Sequence, residues 1–325
     1  MEKLKYIDLF CGIGGFRVAF ENACKKNDII PSYVFSSDID PYSQIMYEEN
    51  FGEKPYGDIK EIDENDIPDH DILFAGFPCQ PFSIIGHMKG MQDTRGTLFH
   101  DIARIIKAKR PKAFILENVK QLVGHDKGRT LKDIFKTLQE DLGYFVQYSV
   151  LNALDYGLPH KRERVVIVGH QEPILFTFPE PKRKYKPLSD ILESNVNPKY
   201  FASEKIRKKR KEKHVSAYST SIWHENKSGN ICSYPYSCAL RAGASYNYLL
   251  VNGERRLTPR EMLRLQGFPD SFKIVVSDSQ VRKQAGNAVP VNMIEAVIMK
   301  LLPYVAKTID TSVVLGEYEV KYNSK

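Results

Sequence analysis

Short apolar runs alternate with segments of helical periodicity through the first 170 residues of the chain. Five runs have the length and composition of buried strands: residues 6–10, 33–36, 71–77, 113–116 and 165–168. The clearest helix is predicted over residues 130–142, where apolar side chains recur at helical spacing and Gly143 follows as a C-cap. This alternation predicts an α/β fold with a doubly wound sheet.

The pattern changes after residue 170. Residues 171–250 are rich in Pro, Ser, Asn, Tyr and Lys and show weak periodicity, which indicates a smaller, loop-rich domain. An apolar helical run returns at residues 291–302. We expect this last helix to pack against the first domain, so that the large domain is discontinuous in sequence.

Composition narrows the class of protein. A chain of 325 residues with 42% hydrophobic residues is globular and suggests two domains. No apolar run approaches the length of a membrane span, and residues 1–10 do not resemble a signal peptide, so a cytoplasmic protein is expected. The five cysteines are odd in number and none has CxxC spacing, which favours neither a disulfide framework nor a metal site.

Positive charge is concentrated in one segment. The net charge is +7, and residues 182–213 carry twelve Lys or Arg against four Asp or Glu, so the remainder is close to neutral. A basic segment on a neutral body suits a polyanionic partner. A solvated charged helix over residues 205–213 is the alternative explanation.

A glycine-rich turn follows the first predicted strand, between Asp8 and Phe16. It lets a ligand approach the backbone at a helix N-terminus, but Arg17 breaks the dinucleotide pattern GxGxxG. Asp38 follows the second strand, and Asp58 follows a segment that we interpret as the third; these carboxylates suit ribose hydroxyls and an adenine amino group. A cofactor with adenosine and no phosphate fits, such as S-adenosylmethionine, although both aspartates also suit ordinary turns.

A cysteine lies at the end of the strand predicted over residues 71–77. Pro78 and Pro81 flank Cys79 and Gln80, fix the backbone and exclude a helix there. The next strand ends at Glu117, and neighbouring strand ends bring this carboxyl near the thiol. The pair suggests a nucleophile with an acid partner.

Basic side chains precede the last predicted strand of the first domain. Alternation along an extended chain places His160, Arg162 and Arg164 on one face. Two fixed guanidinium groups suit a phosphate and a base carbonyl, whereas a charged edge strand is the alternative explanation.

Six motifs in this order resemble one family: Asp8-Leu9-Phe10, Gly76-Phe77-Pro78-Cys79-Gln80, Glu117-Asn118-Val119, Arg162-Glu163-Arg164, the segment 260–269 and Gly286-Asn287-Ala288-Val289-Pro290. The chain resembles the bacterial DNA cytosine-5 methyltransferases, and most of all the enzymes that accompany restriction endonucleases. The resemblance implies a Rossmann-like S-adenosylmethionine-dependent methyltransferase sheet over residues 1–172, completed by 273–325, and a small, loop-rich target recognition domain over 173–272.

The resemblance also implies roles for individual residues. Cys79 is the expected nucleophile, Glu117 the acid at cytosine N3, and Arg162 and Arg164 the catalytic arginines at the flipped base. The expected cofactor-binding residues are Asp8, Phe10, Gly12, Gly14, Asp38, Ile39, Asp58, Pro78, Leu98 and Asn287. The expected DNA-binding residues are Ser83, His160, Arg162 and Arg164. Residues 82–97 resemble the mobile catalytic loop of the family.

Two positions depart from the family pattern. The family usually has Gln at the position of His160, and we expect imidazole to keep the hydrogen-bonding role with more dependence on pH. The family often has Thr-Leu where this chain has Ala239-Leu240.

The expected partner is double-stranded DNA, with no membrane, a monomeric enzyme and a companion restriction endonuclease. Two alternatives stay open at this point. One is an RNA (tRNA) cytosine-5 methyltransferase with the same core, but the Cys-Phe-Thr signature of that branch is absent, since Cys238 is followed by Ala239. The other is an inactive DNA-binding member of the family, against which Cys79, Glu117 and Arg164 argue.

Overall fold

A six-stranded mixed sheet forms the centre of the molecule. The structure is a computed structural model that describes residues 2–78, 98–182 and 184–306. The strands of the first 170 residues are β1 (Lys3–Leu9), β2 (Ile30–Ser37), β3 (Ile72–Gly76), β4 (Ala113–Val119), β5 (Phe145–Asn152), β6 (His160–Lys161) and β7 (Glu163–His170). The sheet order is β2-β1-β3-β4-β7-β5; the first four are parallel, and β7 runs antiparallel to both neighbours.

Both faces of this sheet are covered. Tyr6 and Phe74 belong to a hydrophobic cluster on one face, whereas the adjacent Ile7 and Leu73 belong to a second cluster on the other. Side chains alternate between faces along a strand, so a strand covered on both faces is apolar at nearly every position. This is why β3 and β4 are easy to recognise in the sequence.

Eight α-helices flank the strands and connect the regions: α1 (Gly15–Lys26), α2 (Pro41–Phe51), α3 (Leu98–Lys109), α4 (Arg129–Lys136), α5 (Glu204–Lys213), α6 (Pro259–Leu265), α7 (Asp278–Asn287) and α8 (Val291–Val305). These eight are the α-helices of the described ranges. The predicted return of the last helix is confirmed, because α8 packs on α1 and Glu295 forms an ion pair with Lys26. Its apolar residues join the cluster that contains Phe20.

Segment 278–305 is long and apolar enough to be a candidate membrane span by composition. The chain interrupts it at Ala288 and Pro290, which have extended backbone between α7 and α8. The apolar face of α8 is buried against the sheet and α1, as expected for a core helix.

A second, smaller sheet forms from the loop-rich region. Its strands β8 (Ile222–Glu225), β9 (Ile231–Tyr234) and β11 (Leu249–Val251) pair in the order β11-β8-β9. The short strand β10 (Ser237–Cys238) pairs instead with β6 of the first region. The hydrophobic residues of this region also join the cluster beside α8. The domain limits at residues 172/173 and 272/273 stay a prediction.

Three details differ from the sequence predictions. Strand β5 was not predicted, because it is an edge strand whose polar and apolar residues alternate. No strand precedes Asp58, whose side chain instead accepts a hydrogen bond from Lys60 N at the start of a 3-10 turn; the run before Cys79 is therefore the third strand. The helix predicted over 130–142 is confirmed but ends in a π turn, Thr137–Asp141, before Gly143 at φ +70°.

Candidate active site

A cleft of about 600 Å³ opens at the carboxyl ends of the parallel strands. Eleven of the predicted site residues line it: Phe10, Gly12, Asp38, Ile39, Asp58, Pro78, Leu98, Glu117, Arg162, Arg164 and Asn287. Asp8, Gly14 and His160 lie outside its lining. Cys79, Ser83 and the predicted mobile loop 82–97 lie outside the described residues.

The glycine-rich turn forms one wall. Gly12 and Gly14 have φ of +54° and +82°, a backbone region that costs other residues energy. A Cβ on Gly14 would meet the Phe51 ring at 2.4 Å, whereas a Cβ on Gly12 would meet nothing within 4 Å. Gly14 is therefore required by packing, and Gly12 keeps space open beside the cleft.

Asp38 fixes this turn. Its carboxylate accepts one hydrogen bond from Gly12 N and one from Asp40 N, each 2.8 Å long. Burial raises the pKa of Asp38, and the two backbone donors oppose that effect. Since a carboxylate offers about four acceptor positions, Asp38 keeps acceptor capacity for a ligand in the cleft.

Asp8 lies beneath the turn and is fully buried. Within the described residues neither of its carboxyl oxygens has a hydrogen-bond partner. Burial, followed by the charge of Asp38, raises the pKa of Asp8 well above its usual range. Asp8 therefore holds a proton more readily than an exposed carboxyl, and it lies outside the lining of the cleft.

The opposite wall has a charged pair. Glu117 lies near the end of β4, directly beside Gly76 of β3, so its carboxyl lies close to the backbone that leads to Cys79. Arg164 Nε lies 2.9 Å from Glu117 Oε1, and both side chains are buried. Burial raises the pKa of Glu117, and the charges of Arg164 and Arg162 oppose it. The result is a carboxyl that holds a proton more readily than an exposed one.

Asn118 positions the same backbone. Its Nδ2 donates to the carbonyl of Phe77 over 2.9 Å, and its Oδ1 accepts from Val119 N over 2.8 Å. The bond to Phe77 fixes the chain one residue before Pro78. Asn118 belongs to the motif Glu117-Asn118-Val119, but the sequence did not predict this contact.

Arg162 and His160 support the cleft from behind. Arg162 donates to the carbonyls of Leu240, Gly286 and Ala288 over 3.2, 3.0 and 2.8 Å. His160 is fully buried, and its Nε2 lies 3.1 Å from Leu240 N.

Burial, with Arg162 and Arg164 nearby, holds the pKa of His160 well below its usual range. This effect favours the neutral imidazole, and the expected pH dependence at His160 stays a prediction. Because Leu240 N donates to Nε2, this nitrogen acts as an acceptor.

The cleft also contains residues for which the sequence predicted no individual role: Cys11, Gly15, Phe16, Ser37, Asp40, Ser43, Gly57, Ile59, Lys60, Phe77, Asn118, Val119, Lys283, Gln284 and Val289. Lys283 and Asp40 form an ion pair of 3.3 Å between α7 and the start of α2. Lys283 lies one helical turn before Asn287 on the same helix. The predicted role of Asn287 could therefore have indicated that Lys283 also faces the cleft.

The basic segment is partly neutralised within the protein. Arg210 is buried and pairs with Glu225, while Arg207 and Lys211 pair with Glu254. Four exposed lysines of α5 are outside these pairs: Lys205, Lys208, Lys209 and Lys213. The charge available to a polyanion is therefore smaller than the sequence count suggested.

The sheet order, the glycine turn at the first strand end and the cleft above β1–β4 define a methyltransferase-type fold. DNMT2 from Spodoptera frugiperda has a similar structure, with a TM-score of 0.72 over 92% of this chain and 99% of that chain at 19% identity. The S. pombe Dnmt2 methyltransferase gives a TM-score of 0.69 over 94% of this chain and 99% of that chain at 20% identity. At these identities the likeness shows the fold alone.

Sequence comparison gives the family. Residues 4–302 match the C-5 cytosine-specific DNA methylases. The type II methyltransferase M.NgoBI of Neisseria gonorrhoeae is 59% identical over 90% of this chain and 91% of its own length. M.HaeII of Haemophilus aegyptius is 58% identical over 91% of this chain and 92% of its own length.

The chain belongs to the C-5 cytosine-specific DNA methylase family. It is a DNA (cytosine-5-)-methyltransferase of the type II restriction–modification kind. This assignment decides against the RNA-specific and inactive alternatives. Membership implies that S-adenosylmethionine is the methyl donor.

Proposed function

We propose that the cleft holds S-adenosylmethionine and an extruded cytosine side by side, and that Cys79 attacks C6 of that base. The observation that carries this proposal is the Glu117–Arg164 pair. It places a buried carboxyl with a raised pKa beside the strand end that leads to Cys79, in the same cleft as Gly12, Asp38 and Asn287.

The residues on the first wall fit the methyl donor. Open space at Gly12 admits a ligand close to the backbone, and the remaining acceptor capacity of Asp38 suits ribose hydroxyls. Asp58 offers a carboxylate to the adenine amino group, and Phe10 and Ile39 offer apolar surface to the ring. Pro78, Leu98 and Asn287 complete the predicted set. When bound, S-adenosylmethionine supplies an electrophilic methyl group.

The second wall fits the base. C5 of cytosine is a weak nucleophile, so a bond from the Cys79 sulfur to C6 is needed to move an electron pair toward C5 and N3. Glu117 gives its proton to N3 and takes up the developing charge. Arg164 orients that carboxyl through the 2.9 Å ion pair. After C5 has gained the methyl group, solvent water takes the C5 proton, and the C6–sulfur bond breaks to release the Cys79 thiolate, which restores the C5–C6 double bond. N3 returns its proton to the Glu117 carboxylate, which leaves a neutral base.

The thiol of Cys79 must ionise before it attacks. A free cysteine is only a few per cent thiolate at neutral pH. Nearby cations favour the thiolate, and Arg164 and Arg162 supply positive charge at this wall.

The target base must leave the duplex, because its C6 is inaccessible within the stack. Extrusion costs a few kcal/mol, and phosphate contacts offset that cost. We assign these contacts to the exposed lysines of α5 and to two of the predicted DNA-binding residues, Ser83 and Arg164. For His160 and Arg162, which are buried, the contribution is to hold the recognition region in place.

The wider assignments complete the proposal. The substrate is a specific site in double-stranded DNA, read by a recognition domain over residues 173–272. One extruded base per catalytic centre makes a monomer sufficient. The enzyme acts in the cytoplasm beside a companion restriction endonuclease.

Covalent trapping tests the proposed mechanism. Duplex DNA with 5-fluorocytosine at the target position cannot lose a proton from C5, so the full-length enzyme with S-adenosylmethionine is expected to stay bound to it through denaturing electrophoresis. Cys79→Ser is expected to abolish trapping and turnover but to retain DNA binding. Trapping that persists in Cys79→Ser would contradict the assignment of the nucleophile.

A further inference from the structure

Arg162 makes contacts that a base-binding arginine does not need. Its two terminal nitrogens donate to three backbone carbonyls, those of Leu240, Gly286 and Ala288. The side chain is only 1% exposed. Burying a guanidinium is costly unless its donors are satisfied, and these three bonds offset part of that cost, while Nε has no hydrogen-bond partner within the described residues.

The three carbonyls belong to two different parts of the enzyme. Leu240 lies in the predicted recognition region, 78 residues after Arg162 in the sequence. Gly286 and Ala288 flank Asn287, which lines the cleft. One rigid planar group therefore connects the region expected to read DNA with the wall expected to hold the methyl donor.

Two other contacts also connect α7 with the region that contains Leu240 and Gln266. A Cβ on Gly286 would lie 2.5 Å from Ala242 N, so the backbone of α7 and the segment 239–242 are in direct contact. Gln266, fully buried, donates to the carbonyls of Ala285 and Ala288. Movement of segment 239–242 must therefore displace α7, the Arg162 side chain, or both.

Arg162 also faces the base-binding wall. Its charge acts on Glu117, and it lines the cleft beside Arg164. Arg162 lies between β6, which pairs with β10 of the small region, and β7, which belongs to the central sheet. Its backbone is therefore attached to both regions, and it cannot move with one of them alone.

We propose that Arg162 is a positioning residue that couples DNA binding by the predicted recognition region, through segment 239–242, to cofactor binding at Asn287. This inference rests on the proposed function for the location of both ligands. Coupling of this kind is reciprocal: DNA that fixes segment 239–242 increases affinity for the cofactor, and the cofactor increases affinity for DNA by the same factor.

Binding experiments without turnover test the coupling. In full-length Cys79→Ser protein, the Kd of S-adenosylhomocysteine is measured alone and with saturating duplex DNA that the wild-type enzyme methylates. We expect DNA to tighten binding by about fivefold or more. In Arg162→Lys and Arg162→Ala that factor is expected to fall to about one, because lysine keeps the charge but lacks the planar fork.

Arg210 supplies a matched control. It is also a buried arginine with bonds to backbone carbonyls, but all its partners lie in the small region. Arg210→Lys is expected to lower the unfolding temperature and keep the coupling factor. If Arg162→Ala does not fold, the coupling factor of Arg162→Lys alone tests the inference.

Two results would overturn the inference: wild-type coupling in folded Arg162→Lys, or no coupling in the parent protein. Failure of the cofactor assignment is distinguishable, since Asp38→Ala would then leave the Kd of S-adenosylhomocysteine unchanged. Failure of the nucleophile assignment would appear only in the trapping experiment.

Discussion

Arg164 and Glu117 form a buried ion pair, 2.9 Å between Nε and Oε1, across the antiparallel strands β7 and β4. The register pairs Arg164 with Val119, so the arginine reaches back two residues to a carboxyl at the cleft. Neither residue has another ion-pair partner within the described ranges. The pair therefore holds the predicted acid in place, while burial raises its pKa and the charge of Arg164 opposes that effect.

Glu117→Gln removes the proton donor but keeps the shape of the side chain. We expect kcat to fall by about 10²–10⁴ with DNA affinity retained. The pKa of Glu117 is raised, so its protonated fraction persists to higher pH and is lost as pH rises through that pKa. The wild-type kcat is therefore expected to fall on the alkaline side of this pKa. Single-turnover rates over a pH series check this, and an unchanged alkaline limb in Glu117→Gln would contradict the assignment.

Arg164→Met leaves the Glu117 carboxyl buried without its partner. Breaking a buried pair in this way costs about 3–5 kcal/mol. The double variant Arg164→Met/Glu117→Gln is expected to recover much of the free energy of unfolding without recovering activity, since neither charge of the pair remains. Urea denaturation of both variants measures this, and a double variant no more stable than Arg164→Met would show that the pair is not the cause.

Asn118→Ala removes the hydrogen bond to the Phe77 carbonyl. We expect kcat to fall at least about tenfold, because a small misplacement of a reacting group is costly, while the Kd of S-adenosylhomocysteine changes little. Asn50→Ala is the control, since Asn50 also donates to backbone carbonyls, those of Met46 and Lys273, away from the cleft. Equal kcat values for the two variants would remove the positioning role.

Gly12→Ala and Gly52→Ala form a matched pair. Both glycines have positive φ, +54° and +79°, and at both positions a Cβ would meet nothing within 4 Å. Backbone strain of about 1–2 kcal/mol is expected in each. Only Gly12 lines the cleft, so only Gly12→Ala is expected to weaken S-adenosylhomocysteine binding. Isothermal titration calorimetry measures the Kd of S-adenosylhomocysteine for both variants. Equal Kd values would show that the ligand does not bind at the Gly12 turn.

Lys208→Ala and Lys209→Ala test the exposed face of α5. Each phosphate contact contributes about −0.9 to the slope of log K against log salt concentration. We expect each substitution to reduce that slope by about one, whereas Lys25→Ala on α1 leaves it unchanged. Fluorescence anisotropy with duplex DNA over a salt series gives the slopes. Unchanged slopes for both α5 variants would make α5 a solvated helix without a DNA contact.

Much of the site was predictable because its residues lie at or near the ends of strands whose apolar runs are visible in the sequence. Glu117 lies near the end of β4, Asp38 comes directly after β2, and parallel strand ends meet at one edge. Asp58 lines the same cleft, as predicted, but no strand precedes it. The predicted third strand before Asp58 was therefore wrong.

The contacts of Arg162 could not be predicted in this way. Its partners lie 78, 124 and 126 residues away in the sequence. They are backbone carbonyls, which every residue has, so the residue types at these positions do not reveal the contact. Burial of His160 was hidden for a similar reason, since its partner is the backbone nitrogen of Leu240. Strand β5 lacked the continuous apolar run that identified the central strands.

The placement of α8 on α1 has a consequence for biosynthesis. The first and last helices of the described chain close the same core, and the chain between them contains the other strands and the whole predicted recognition region. A nascent chain released from the ribosome up to Leu265 has the strands but lacks α7, α8 and Asn287. Closure of this core must therefore wait until α8 has been synthesised, and an early stop codon in α8 leaves an exposed apolar sheet face prone to aggregation.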